Sequence, residues 1–129
     1  TFTLRQQQKP PARSLIEEGA VIALGSDLNP GTSPIHSMPF VIALACRLYG
    51  LRPLEALAAA TVNAAYVLGL DDRVGRIQPG HRADLVILDS AEFESVPYRP
   101  DHDPVVAVVC GGEVAFVAAG AEERVTRRG

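Results

Sequence analysis

The chain has 129 residues, 47% apolar and 21% charged, with 11 Gly, 10 Pro and a formal charge of −3. That mixture excludes a disordered or low-complexity chain and allows one domain, or part of one, with a modest core. Eleven of the 12 basic residues are Arg, scattered along the chain, which leaves no basic stripe for nucleic acid, and no apolar run reaches the roughly 20 residues of a membrane span. Neither nucleic acid nor membrane is therefore an expected partner. The opening Thr1-Phe2-Thr3-Leu4-Arg5 has no initiator Met and no signal-peptide pattern, and reads as the continuation of a longer polypeptide. Cys46 and Cys110 have no Cys-x-x-Cys spacing and stand in apolar surroundings, so both are expected to be reduced and buried in a cytoplasmic protein.

The first predicted element is a helix of about two turns after Pro10-Pro11, with Ala12, Leu15 and Ile16 on one face and Gly19 as its stop. AVIAL, residues 20–24, is apolar without alternation and reads as a buried parallel strand ending near Asp27. LNPGTSP, residues 28–34, is turn chemistry. Ser37 caps a helix that takes Pro39 early and runs to Gly50; only Arg47 is charged in it, so nearly every face needs cover. A second long helix is predicted from Pro53 to Gly69, with Leu54, Leu57, Thr61, Ala64 and Leu68 on its stripe. Beyond Leu70 the pattern changes to strands and turns: a β run over Asp84 to Leu88, then PVVAVVC and EVAFV joined by Gly111-Gly112. The boundary falls near residue 72, and residues 120–129 are expected to fray.

Asp27 is the leading candidate for chemistry, because α/β folds place reactive carboxylates at the C-terminal ends of parallel strands. The other reading is a turn residue whose carboxylate accepts backbone N–H groups. One Asp cannot hold a metal, which takes three or four ligands. His36, His81 and His102 show no paired ligand spacing and read as solvated loop residues, and Asp101-His102-Asp103 is too mobile a triplet to preorganise an ion site. Asp84 reads as structural, tying down backbone donors where a strand leaves a Gly turn. Cys46 reads as a core thiol. No nucleotide-loop or serine-hydrolase signature occurs.

Residues 61–89, TVNAAYVLGLDDRVGRIQPGHRADLVILD, resemble the closing signature of the amidohydrolase superfamily, and KPPARSLIEEGAVIALGSDLNPGTSPIHSMPFVIALAC, residues 9–46, is similar to the imidazolonepropionase branch through its SDLNPGTSP loop. The resemblance implies the C-terminal part of a (β/α)8 TIM barrel over residues 1–72 and part of a small β-sandwich domain over residues 73–129. It implies Asp27 as metal ligand and proton acceptor for the attacking water, and Asn29, Gly31 and Thr32 as contacts to substrate. The activity implied is hydrolysis of the ring C–N bond of 4-imidazolone-5-propanoate to N-formimino-L-glutamate, in histidine degradation. The cofactor implied is one zinc or iron ion, divalent or trivalent, with its other ligands missing from this chain. The implied partners are the small-molecule substrate, the missing N-terminal barrel segment and, in the complete enzyme, a second copy as homodimer. Alone the chain is expected to be inactive. Two rival readings stay open: another cyclic amide or amidine hydrolase or deaminase of the superfamily, and a non-catalytic α/β interaction module. The chain departs from the family at RPDHDP, residues 99–104, where many members carry a His-rich stretch.

Overall fold

Proline or serine stands at several of the helix starts among the described residues, and glycine lies just beyond some of the stops. In the computed structural model, which describes residues 7–122, α1 spans Ala12–Glu17 and α2 spans Met38–Tyr49. Ser37 Oγ accepts the Phe40 N–H at 3.3 Å at the start of α2, satisfying a donor that a helix end leaves open, and Gly50 ends it at φ +71°. At the end of α1, Ala20 N–H reaches Leu15 O and Gly19 N–H reaches Ile16 O, with Gly19 at φ +85°; this is the bond pair of a left-handed helix stop.

The helix predicted over 53–69 is two helices: α3, Pro53–Ala60, and α4, Val62–Val67, separated by Thr61 at φ −127° and ψ −93°. Thr61 Oγ1 donates to Leu57 O at 2.8 Å, a back-bond that bends helices. The Ala59 carbonyl, which in an unbroken helix belongs to the N–H of residue 63, accepts from Leu24 at 2.9 Å. Gly75, at φ +92°, packs into the break: a Cβ there would stand 2.7 Å from Ala65 Cβ and 3.1 Å from Thr61 O.

The strands are β1, Leu85–Leu88, β2, Val105–Cys110, and β3, Glu113–Val117, in an antiparallel sheet of order β1-β2-β3. Gly111 and Gly112, at φ +60° and +90°, make the two-residue hairpin between β2 and β3. Asp84 Oδ1 accepts Gly111 N–H at 2.7 Å and lies 3.0 Å from Arg82 Nε, so its work is to fasten the hairpin end to the entry of β1. A short helix that the sequence reading did not anticipate, α5, Ser95–Tyr98, lies in the β1–β2 connection. It packs on α2 through buried Val96, and Arg47 of α2 donates to the carbonyls of Pro97 and Tyr98.

The core joins Ala12 of α1, Ile42 and Ala45 of α2, Leu51, Ala56 and Ala59 of α3, and Val96. Arg13 and Glu55 pin α1 to α3 with two bonds of 2.7 and 3.0 Å. Glu55 Oε2 also accepts Arg52 N–H at 2.7 Å. The Arg13 bond first, and the Arg52 N–H second, hold the Glu55 carboxyl down from its usual 4.5 to about 2.

Residues 20–24 are not a strand. They have no ladder partner among the described residues, and their burial alternates: Ile22 and Leu24 face the core while Val21 and Ala23 are exposed. An apolar run becomes a two-sided strand only where neighbours supply hydrogen bonds. Cys110, expected buried, is exposed at the end of an outer hairpin, whereas Cys46 is half-buried and burial raises its thiol pKa. The cover expected around α2 is partial: Val41, Ile42, Ala43 and Ala45 are buried, but Leu48 is exposed. No helix of the described residues is long and apolar enough to cross a membrane. Residues 123–129, most of the stretch expected to fray, lie outside the described residues.

Candidate active site

The arm over residues 20–28 delivers Asp27 into a loop that fastens itself. Asn29 is its fastener: Oδ1 accepts the N–H groups of Gly31 and Thr32 at 3.0 and 2.7 Å and the Thr32 hydroxyl at 3.2 Å. Its Nδ2 donates to Asp27 O at 2.6 Å, and its backbone N–H donates to Ser33 O at 2.9 Å. An Asn ahead of Pro-Gly favours this closure, because Pro30 fixes one φ and the short amide reaches backbone donors two and three residues on. Ser33, 5% exposed, anchors the other side by donating from Oγ to Ser26 O at 2.9 Å.

Between those anchors Asp27 adopts φ +51°, the one described non-glycine residue with positive φ. Asp reaches this conformation more readily than most residues, but it still carries strain, and strain of this kind gathers at functional positions. No described donor reaches the Asp27 carboxylate; the nearby Leu28 N–H bonds to Ser26 Oγ at 3.3 Å. The turn-forming role that the sequence left open for Asp27 is thus filled by Asn29 and Ser26.

Asp27, Ser26 and Ser33 line one end of a cleft of about 580 Å³ whose apolar walls include Leu24, Ile35, Val41 and Leu44. Of the four predicted site residues only Asp27 lines this cleft; Asn29, Gly31 and Thr32 lie in the loop beside it. The loop N–H groups of Gly31 and Thr32 turn inward to Asn29. What remains for a ligand is the Asp27 carboxylate, the second proton of Asn29 Nδ2, and the spare lone pair of the Thr32 hydroxyl.

The histidines do not join Asp27. His36 is exposed, and His81 Nε2 lies 3.2 Å from Asp71 O. His102, expected to be solvated, is paired: its Nε2 is 2.6 Å from Asp89 Oδ2, closing the connection between β1 and β2. No group of three His, Cys, Asp or Glu side chains able to hold an ion occurs among the described residues. Asp27 offers one donor where zinc or iron takes three or more, so these residues do not make up a metal site. Ser33 escaped the sequence reading, because a single polar side chain in a Pro-flanked turn carries no periodic signal.

Comparison with known proteins bears on residues 4–120, which match the model of the amidohydrolase family. An imidazolonepropionase of Rubrobacter xylanophilus is 52% identical over 103 residues, 80% of this chain and 25% of that protein. One of Deinococcus deserti is 53% identical over 95 residues, 74% of this chain and 24% of that protein. The chain thus spans about a quarter of the length of the curated relatives it matches. Among solved structures, an amidohydrolase from Thermotoga maritima superposes with a TM-score of 0.66 at 33% identity, over 83% of this chain and 26% of that one. An enamidase of the amidohydrolase superfamily superposes with a TM-score of 0.67 at 24% identity, over 84% of this chain and 30% of that one, and shows the shared fold.

Proposed function

Since the chain belongs to the amidohydrolase family and is imidazolonepropionase-like in sequence, we propose that it is the C-terminal quarter of a hydrolase that opens the ring of 4-imidazolone-5-propanoate. In this reading residues 1–72 close a (β/α)8 barrel, with the 20–28 arm as its last strand, and residues 73–129 belong to a small β-sandwich domain. The remaining barrel strands, the dimer partner and a cytoplasmic setting belong to the complete enzyme, and this quarter alone is inactive.

The observation that carries the reading is the Asp27 carboxylate. It stands at the cleft in a strained backbone conformation, fastened on both flanks and free of described donors. A carboxylate so placed accepts the proton of an attacking water as its oxygen joins the ring carbonyl carbon, and then passes that proton to the departing ring nitrogen as the C–N bond breaks. The apolar cleft walls offer the ring a surface to pack against. Asn29 Nδ2 and the Thr32 hydroxyl supply the polar contacts, and Gly31 leaves the loop without a side chain where a planar ring would lie against it. The family's zinc or iron would find one ligand here, Asp27, and its other donors lie outside the described residues.

The test is Asp27→Asn in the full-length polypeptide that carries this segment. The amide keeps the shape and loses the base, so turnover of imidazolonepropionate should fall about 10²–10⁴-fold with the fold retained. Turnover near that of the unsubstituted protein would return Asp27 to the turn.

A further inference from the structure

Within this chain, polar ties from the helices beside it hold the arm that ends in Asp27. Two of them come from one place. Asn63 Nδ2 donates to Ile22 O at 3.0 Å, and Leu24 N–H donates to Ala59 O at 2.9 Å. Residues 59 and 63 are separated by about one helical turn, and Ile22 O and Leu24 N–H flank Ala23. The two bonds therefore hold the same edge of the arm and leave the edge of Val21 and Ala23 open for a strand.

The grip depends on the break at Thr61. The break frees the Ala59 carbonyl for Leu24 and starts α4 where the Asn63 amide can reach Ile22. Gly75 is seated against the break, with no room for a Cβ beside Ala65 and Thr61. Asn63 is half-buried, so removing its donor leaves Ile22 O short of a partner at a site partly shielded from water.

We propose that Asn63 is a positioning residue for the Asp27 carboxylate. It meets the arm at Ile22, upstream of Asp27, and fixes where the arm enters the fastened loop. Ser33 and Asn29 hold the loop from the other side, so Asp27 is set from two directions. The proposal rests on the hydrolytic reading above, because only there does the place of this carboxylate govern turnover. A misplacement of about 1 Å at a reacting group costs on the order of 10²-fold in rate.

The test uses Asn63→Asp, of equal size without the amide donor, and Asn63→Ala, which adds no charge, both in the full-length polypeptide. Amide hydrogen exchange over residues 20–28 should quicken about tenfold or more, with α2 unchanged. The value of kcat should fall about 10- to 100-fold while KM stays within about threefold. Added to Asp27→Asn, either substitution should cost nothing further, because it acts through that carboxylate. Unchanged exchange in 20–28, unchanged kcat, a rise in KM alone, or a full additional loss on top of Asp27→Asn would each overturn the proposal. If Asn63→Asp fails to fold, Asn63→Ala decides by the same readouts. If the unsubstituted polypeptide does not turn over imidazolonepropionate, the hydrolytic reading fails separately, and exchange alone decides whether Asn63 holds the arm.

Discussion

Residues 20–24 and residues 105–110 are both short apolar runs rich in Val and Ala, and only the second is a strand. β2 has β1 on one side and β3 on the other, and Ala107 at its centre has no exposed surface. The arm has helix groups on one edge, Ala59 O and Asn63 Nδ2, and its other edge faces no described strand. Ala23, its central residue, is exposed. Similar side chains thus give different backbones because a strand is defined by what pairs with it. The difference also marks where the backbone is paired on both sides, at β2, and where it presents an unpaired edge, at the arm that carries Asp27.

The largest loss is expected at Gly75. Gly75→Ala places a Cβ 2.7 Å from Ala65 Cβ at φ +92°, and should lower unfolding stability by about 2–4 kcal/mol in denaturant titration. It should also loosen the arm through the helix break while leaving the β2–β3 hairpin in place.

Next in size is a matched pair of substitutions, one at the centre of each run. Ala107→Leu forces a larger side chain into a fully buried place and should cost about 1–3 kcal/mol. Ala23→Leu, at an exposed position, should stay within about 0.5 kcal/mol. Equal costs would mean that the arm is packed as a strand is.

Acid separates the helical part from the sheet more gently. Glu55 titrates at about 2 in the folded chain against 4.5 when unpaired. Because its folded value is depressed, its stabilising contribution is complete above about pH 4.5 and is lost as pH falls toward 2. Glu55→Gln should flatten stability against pH in that window, read by thermal unfolding, and Arg13→Met should do the same. The smallest effect belongs to Gly31→Ala. A Cβ there meets only Asn29 Oδ1, at 3.4 Å, so stability should move by less than about 0.5 kcal/mol. A large rise in KM of the full-length polypeptide with that stability intact would place substrate against the loop.

What the sequence made legible is what neighbours in the chain determine. Ser37 caps α2, Gly19 and Gly69 end α1 and α4, and Gly111-Gly112 turns the hairpin, each through groups a few residues away. The break at Thr61 was not legible, because Leu24 and Gly75 shape it from far along the chain and the apolar stripe continues through it. The same holds for α5, which is placed by Arg47 and by the core rather than by its own four residues. At the candidate site, Asp27 was readable as a candidate from its place after an apolar run. The closure of the loop by Asn29, the anchoring by buried Ser33 and the grip of Asn63 were not, since each depends on which acceptor a folded backbone brings within reach.

Amide hydrogen exchange of residues 20–24, compared between this chain and the full-length polypeptide, tests the proposal that the arm is a barrel strand whose open edge pairs with a neighbour in the complete protein. Protection of Val21 and Ala23 should rise about 100-fold or more in the longer polypeptide, while the β2 amides, already paired on both sides, change little. Protection of the arm equal to that of β2 in this chain alone, or no gain in the longer polypeptide, would contradict it.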